Sequence, residues 1–300
     1  MDALPEFISP MLAKIGKPFS SDEHLFEIKW DGTRALAFIE GGDYRLLNRK
    51  RRSRKDGYPE LELLRELPPG TVLDGEISVL LDGRPQFAAM LQREQATRPA
   101  RIKTLMRTLP AVYVVFDVLY RRGRSVMDRP LSERREILAE ILSAHEDSRL
   151  IFSQGVTGDG ITFYEEACRQ ELEGVVAKRL SSRYLPGKRT DAWQKIKRTQ
   201  RVYCAVLGYQ ETGDGLKSLL VAVDAGGELR YAGKVGSGWN TAKRDEVHAR
   251  LRERIAPAPI LPVNVDAVWV EPGLYCTVSF LEWTEGGELR APVFVELLEE

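Results

Sequence analysis

The chain has 300 residues, 44 basic and 44 acidic side chains, and a hydrophobic fraction of 43%. This length suggests two domains, and the composition is that of a folded globular protein. The balanced charge argues against a protein that simply coats nucleic acid, and no apolar run is long enough to cross a membrane. The N-terminus lacks the apolar core of a signal peptide, and the three scattered cysteines favour neither a disulfide framework nor a zinc site. We therefore expect a monomer in a reducing cytoplasm.

The first patterned segment, FEIKWDGTRA, begins at Phe26. Its apolar residues predict a strand at 25–28, and the Asp31–Gly32 pair predicts a turn. Lys29 and Arg34 flank that turn. A surface hairpin with a solvated lysine explains this stretch alone equally well.

A dense basic run, NRKRRSRK, covers residues 48–55. It is either a solvated loop or a patch that guides a polyanion. GTVLDGEISVLL then predicts two strands, 71–73 and 76–81, separated by a second Asp-Gly pair. AVYVVFDVLY, at 111–120, is rich in β-branched and aromatic residues and predicts a buried strand.

A helix is predicted in PLSERREILAEILSAH, with Ser132 as its N-cap and apolar residues at helical spacing. FYEEACRQELEGVVAKR predicts a second helix, which breaks at Gly174 before a short strand at 175–178. The polar stretch at 197–201 predicts a boundary between domains 1–199 and 200–300. Beyond it, short strands, glycines and one helical segment predict a small β-barrel.

Several strands carry polar residues where a buried strand normally has apolar ones. An amphipathic surface strand is the alternative explanation for each of them. Taken together they predict one pocket, in which cations neutralise phosphates, two carboxylates hold a divalent metal or a ribose, and an aromatic ring stacks on a base. A lysine among cations and a metal can lose its proton and act as a nucleophile. The residues concerned are Glu76, Phe116, Asp117, Glu173, Lys178, Lys195 and Lys197.

The segments KWDGTR, NRKRRS, LDGEI, VVFDVLY, EGVVAK and WQKIK occur in the order and approximate spacing of the motifs of the covalent nucleotidyltransferases. YAGKVGSGW and EWTEGGELRAPVF resemble the OB-domain of bacterial ATP-dependent DNA ligases. The likeness extends to the ligase module of end-joining ligase D and to stand-alone ligase C. It implies an α+β fold: a nucleotidyltransferase (adenylation) domain of antiparallel sheets flanked by helices, followed by a C-terminal OB-fold β-barrel.

The resemblance also implies a role for individual residues. Lys29 attacks the α-phosphate of ATP and becomes lysyl-AMP, from which AMP passes to the 5′-phosphate of a nick before the 3′-hydroxyl displaces it. Asp31 lies beside this nucleophile, and Ile28 precedes it in the nucleotide site. For the base, the resemblance implies that Glu27 contacts the adenine amino group and that Phe116 and Val175 cover the two faces of adenine. It places Arg34 and Glu76 near the ribose and Arg49 near the phosphates or the nick. It further implies that Glu76 and Glu173 hold Mg²⁺ or Mn²⁺, and that Lys178, Lys195 and Lys197 bind the phosphates.

The final motif departs from the family pattern. Arg290 is kept, but Ala291 stands where relatives usually have a histidine. Because that motif orients the pyrophosphate, self-adenylylation is expected to be slow while sealing of pre-adenylated nicks is spared.

Other functions remain open at this point. An RNA ligase or a capping guanylyltransferase shares the lysine motif, and a degenerate module that only holds DNA is a third reading. No separate DNA-binding, polymerase or nuclease module is evident, so the sequence predicts a minimal ligase for nicked double-stranded DNA. Its OB-domain is expected to swing about 197–201, with a Ku-like protein as a possible partner.

Overall fold

The computed structural model describes residues 3–145, 147–213, 215–281, 283–284 and 286–299. The chain divides into two compact units, Met1–Arg198 and Thr199–Glu300, and each is described separately. Within the described ranges, no helix is long and apolar enough to cross a membrane.

The first unit consists mainly of strands. Its elements, in chain order, are β1 (Leu12–Ile15), β2 (Ser21–Ile28), β3 (Thr33–Ile39), β4 (Tyr44–Asn48), two 3₁₀ segments (Lys55–Gly57 and Pro59–Glu66), β5 (Thr71–Leu81), β6 (Arg84–Pro85), α1 (Phe87–Gln95), α2 (Pro99–Thr108), β7 (Ala111–Arg121), β8 (Arg124–Ser125), α3 (Leu131–Ser143), β9 (Leu150–Phe152), β10 (Gly155–Gly158), α4 (Gly160–Arg169), β11 (Gly174–Arg179) and β12 (Arg189–Lys197).

These strands form two sheets. The first has the order β1-β12-β11-β2-β10, and the second has the order β4-β3-β5-β7-β8 with β6 and β9 added to it. Apolar side chains from both sheets, among them Phe38, Leu119 and Trp193, form a core between them. Other clusters cover the outer faces, where α3 packs on the second sheet and α4 on the first. The inner faces of the sheets therefore meet, and polar side chains on those faces come together.

The strand β5 corrects one prediction, because it continues from Thr71 to Leu81 without a turn at Asp74–Gly75. A Cβ on Gly75 would lie 2.6 Å from the carbonyl oxygen of Val114, so this glycine is required by close packing and not by a turn. The Asp31–Gly32 pair, by contrast, does lie in the connection between β2 and β3.

The start of α3 corrects another prediction. The helix begins at Leu131 with Pro130 in the N-cap position, so Ser132 lies within the first turn and does not cap it. A helix start needs no side-chain cap when the orphan N–H groups find other partners, and here the backbone N–H of Ser132 donates to the carbonyl of Leu180 at 3.1 Å.

The second unit is a curled sheet closed by one described helix. Its elements are β13 (Gln200–Thr212), β14 (Gly215–Asp224), β15 (Leu229–Val235), α5 (Thr241–Arg252), β16 (Ile255–Ala256), β17 (Val268–Val270), β18 (Leu274–Phe280) and β19 (Val293–Glu299). One edge of β13 pairs with β18 over its first half and with β17 further along, while the other edge pairs with β14. The sheet therefore bends around an apolar core, to which α5 contributes Val247 and Leu251.

Candidate active site

A cavity of about 330 Å³ opens in the first unit, where the inner faces of the two sheets meet. Period-2 alternation along β11 and β12 directs polar and aromatic side chains into it. Cations dominate the charged groups of its wall. The lining includes Ile28, Lys29, Arg34, Arg49, Glu76, Phe116, Lys178 and Lys195, which the sequence had singled out, together with Trp30, Ser153, Val176, Arg189 and Trp193, which it had not.

Lys29 lies immediately after β2 and shares the carboxylate of Glu173 with a second lysine. Its Nζ contacts Oε2 of Glu173, and Nζ of Lys197 lies 2.8 Å from Oε1 of the same carboxylate. The backbone also holds Lys29 in place, since its N–H donates to the carbonyl of Gly174 at 2.9 Å. The lysine is thus fixed on both its main chain and its side chain, while about a fifth of the side chain remains exposed.

Lys195 adds further positive charge beside this group. Partial burial lowers the pKa of its ammonium, and the neighbouring charges of Lys197, Lys29 and Arg189 lower it further. Cations held this close repel one another, so an anion that enters the cavity is stabilised by all of them. The chemistry of this end of the cavity therefore suits a polyanion such as a polyphosphate.

Glu76 carries a carboxyl group for which no ion pair within 4 Å forms among the described residues. Burial raises its pKa to about 8, although the charges of Arg34 and Lys29 act in the opposite direction. Burial therefore disfavours the ionised form of this carboxyl group near neutral pH. A cation placed beside it would favour the ionised form.

The aromatic end of the cavity contains Phe116, Trp193 and Lys178. Nζ of Lys178 lies 4.2 Å from the ring centroid of Phe116 and 4.5 Å from that of Trp193, and it also contacts Oε2 of Glu27. Burial lowers the pKa of Lys178, which the charge of Glu27 opposes. The sequence analysis placed this lysine with the phosphates. The structure places it instead with the aromatic rings, where an ammonium donor and a carboxylate acceptor lie side by side.

Arg34 is held by a buried carboxylate that the sequence analysis had assigned to a turn. Its Nε and Nη2 donate to the two oxygens of Asp74 at 2.9 and 2.6 Å, and the Tyr184 hydroxyl donates to Asp74 at 2.6 Å. Burial acts to lower the pKa of Arg34, but the charge and hydrogen bond of Asp74, together with the charges of Tyr184 and Glu76, raise the pKa by more than burial lowers it. Nη1 donates to the carbonyl of Met11 at 2.7 Å. Arg34 was expected near the ribose, but most of its N–H donors are already used in hydrogen bonds within the protein.

The structure also shifts one predicted residue by a single position. Val175 is fully buried and packs with Phe26 and Ile196 on the outer face of the first sheet. Its neighbour Val176 lines the cavity. Because successive side chains of a strand point to opposite faces, Val175 points away from the cavity and Val176 points into it, so the role expected for Val175 does not fit its position.

The other predicted residues lie in varied places. Arg49 is exposed and lines the cavity rim. The carbonyl of Asp31 accepts a hydrogen bond from the Ser78 hydroxyl at 2.9 Å, which fixes the connection after Lys29. Arg290 belongs to the second unit, just before β19, and its part in nucleotide binding stays a prediction.

Two features of the cavity fit ATP and a divalent metal ion: the chemistry of its two ends, and the pair of carboxylates near Lys29. The cavity joins an aromatic end that has both a donor and an acceptor to a cationic end beside a lysine. For a metal, no cluster of three or more His, Cys, Asp or Glu side chains occurs within the described ranges. Magnesium commonly takes only one or two carboxylates and completes its shell with waters and substrate phosphates. Glu76, for which the described residues form no ion pair within 4 Å, and Glu173 provide such a pair.

Comparison with known proteins identifies the family. Residues 10–197 match the model described as ATP dependent DNA ligase domain, and residues 212–300 match the model of the ATP dependent DNA ligase C terminal region. The multifunctional non-homologous end joining protein LigD of Pseudomonas aeruginosa is 34% identical over 99% of this chain, which spans 36% of that protein. DNA ligase C1 of Mycolicibacterium smegmatis is 35% identical over 77% of this chain and 68% of the relative.

A solved structure agrees with these matches. The ligase domain of Mycobacterium tuberculosis LigD is 29% identical, covers 98% of this chain and 95% of its own, and superposes with a TM-score of 0.59. The fold class expected from the sequence, a nucleotidyltransferase domain followed by an OB-fold domain, is thereby confirmed. The chain spans only about a third of the length of the LigD proteins that it resembles. On this combined evidence the chain belongs to the family of ATP-dependent DNA ligases.

Proposed function

We propose that this chain seals 5′-phosphate/3′-hydroxyl nicks in double-stranded DNA with ATP, through a lysyl-AMP intermediate on Lys29. The observation that carries the proposal is the contact of Lys29 with Glu173 at the cationic end of a cavity whose other end is aromatic. We take the unit Met1–Arg198 as the adenylation domain and the unit Thr199–Glu300 as the OB-fold domain.

In the first step, Nζ of Lys29 attacks the α-phosphorus of ATP. A nitrogen–phosphorus bond forms, the bond to the bridging oxygen breaks, and pyrophosphate leaves with the electron pair. The attacking ammonium must lose a proton, and the Glu173 carboxylate in contact with Nζ is the nearest acceptor for it. Lys195 and Lys197 offset the negative charge that builds up on the transferred group.

The aromatic end supplies selectivity for adenine. Phe116 and Val176 provide apolar faces for the base. The Glu27 carboxylate accepts from the amino group of adenine, and Lys178 beside it donates to a ring nitrogen. A divalent metal ion held by Glu76 and Glu173 would neutralise phosphate charge and orient ATP. The base-end arrangement favours adenine and argues against a capping guanylyltransferase.

The later steps use the DNA itself. The 5′-phosphate of the nick takes AMP from Lys29, and the 3′-hydroxyl then attacks that phosphate and releases AMP. The exposed Arg49 at the cavity rim is placed for a DNA phosphate. We further propose that the reaction serves repair or end joining in a bacterial cytoplasm, with a Ku-like end-binding protein as partner. The activities of the LigD relatives support this proposal.

The test is a two-part labelling experiment. The protein is incubated with Mg²⁺ and ATP labelled at the α-phosphate, and the products are separated on a denaturing gel, with Lys29→Ala and the exposed Lys103→Ala as controls. We expect label on the wild type and on Lys103→Ala but not on Lys29→Ala, and the label should leave when nicked DNA is added. Transfer to nicked RNA in preference to nicked DNA would contradict the DNA ligase proposal.

A further inference from the structure

The carboxylate of Glu27 is held by two cations from different elements. It projects from β2 and is 1% exposed. Nη1 of Arg135, in the second turn of α3, donates to Oε1 at 2.6 Å, while Nζ of Lys178, in β11, contacts Oε2. Lys178 already lies in the cavity wall, but Arg135 reaches the carboxylate from outside that wall. The sequence analysis gave Arg135 no role.

Arg135 is itself held in place by contacts with other residues besides Glu27. Its Nη2 donates to the carbonyl of Ser153 at 2.7 Å, and its guanidinium lies 4.2 Å from the ring centroid of Phe152. Its side chain is only 12% exposed. Ser153 in turn accepts from the indole N–H of Trp30 at 3.1 Å, and both of these residues line the cavity. The planar guanidinium thus links Glu27 to another part of the cavity wall, with little freedom to turn.

From this geometry we propose that Arg135 is a positioning residue that acts through Glu27 to select the 6-amino group of the purine. The inference rests on the proposed function and names the determinant of base choice at the same site. With a cation against each oxygen, the carboxylate keeps a single orientation and presents only acceptor capacity to the base. Adenine offers an amino donor at position 6, whereas hypoxanthine offers a carbonyl acceptor that the carboxylate repels.

Among the described residues, loss of Arg135 would leave Lys178 as the cation in contact with Glu27 and would free the carboxylate to rotate toward it. The 6-amino group would then lose a fixed acceptor, and a 6-oxo group would lose its repelling neighbour. The contact of Lys29 with Glu173 would be untouched, because the described contacts of Arg135 are to Glu27, Ser153 and Phe152. The expected effect is therefore on the KM for ATP and on base choice, with kcat nearly unchanged.

The experiment compares initial rates of self-adenylylation with ATP and with inosine triphosphate, which differ at position 6 of the base and in the adjacent N1 proton. The variants are Arg135→Met and Arg135→Lys, and the control is Arg121→Met, which removes an arginine paired at the surface with Glu140. We expect Arg135→Met to raise the KM for ATP about tenfold and to lower the preference for ATP over inosine triphosphate by about tenfold. Arg135→Lys should recover part of both, and Arg121→Met should match the wild type.

A double variant separates positioning from general support of the fold. In a Glu27→Gln background, Arg135→Met should change base preference by less than twofold, because the residue through which it acts is already altered. The inference is overturned if Arg135→Met, or Arg135→Lys should the methionine variant not fold, keeps the base preference of the wild type. It is also overturned if the Arg135 effect persists undiminished without Glu27. Absence of label on wild-type protein that has first been treated with pyrophosphate would refute the proposed function itself, and the inference with it.

Discussion

The raised pKa of Glu76 makes a prediction about stability that is independent of catalysis. Folding raises this pKa from 4.5 to about 8. Between those values the folded state binds more protons than the unfolded state, so the stability of the wild type falls as pH rises through this window. Glutamine does not titrate. Glu76→Gln should therefore match the wild type near pH 4 and become progressively more stable than it up to about pH 8.

The magnitude follows from the size of the shift. One pKa unit corresponds to about 1.4 kcal/mol, so the full shift sets an upper limit of about 5 kcal/mol. The carboxyl group is only partly buried, and water that reaches it reduces the cost of ionisation. We expect Glu76→Gln to gain ~2–3 kcal/mol over the wild type at pH 8.

The assay is urea unfolding at several pH values in the presence of EDTA, which keeps divalent cations away from the site. The control is Glu60→Gln, because Glu60 is buried and fully paired: both of its oxygens accept from Arg93, at 2.6 and 3.0 Å, and the backbone N–H of Ala111 donates to Oε1 at 2.8 Å. Breaking that pair should cost about 3–5 kcal/mol. The reasoning is supported if, at pH 8, Glu76→Gln raises the free energy of unfolding while Glu60→Gln lowers it. A Glu76→Gln variant that is less stable than the wild type at pH 8 refutes it.

Three further results are expected. Asp74→Asn should cost about 3–5 kcal/mol in urea unfolding, because it leaves the guanidinium of Arg34 without its buried partner; an unchanged midpoint would contradict this. Arg290→Ala should slow formation of lysyl-AMP, measured by label uptake, while sealing of pre-adenylated nicks stays within about twofold of the wild-type rate; unchanged uptake would remove Arg290 from the first step. Nick sealing should fall at least tenfold between about 50 and 200 mM salt, because DNA affinity rests on phosphate contacts; salt-insensitive sealing would exclude that mode of binding.

The sequence predicted best what depends on local pattern. The turn at Asp31–Gly32 ends β2 just before Lys29, so that Lys29 lies in the connection to β3. Strand alternation correctly places Lys195 on the cavity wall. Both features are encoded within a few residues. The order of the motifs then linked these local features to a family, and the comparisons confirm that family.

The errors came from tertiary contacts that local pattern does not encode. An Asp-Gly pair normally predicts a turn, but Asp74 is retained inside β5 because Arg34 and Tyr184 satisfy its carboxylate. The expectation named Val175 and not the neighbouring residue that lines the cavity, because the face of a short strand cannot be set from its sequence alone. Arg135 was missed because its partner Glu27 lies 108 residues away in the chain, and no periodic pattern relates the two.

The most direct test of the account is to locate the nucleotide on the protein. The protein is incubated with Mg²⁺ and ATP, digested with a protease, and its peptides are sequenced by mass spectrometry, with a sample first treated with pyrophosphate to remove AMP acquired during expression. We expect AMP on the peptide that contains Lys29, attached at its Nζ, and we expect the AMP to be lost when nicked DNA is added. AMP on Lys178 or Lys195 instead, or no adduct in either sample, would contradict the central claim.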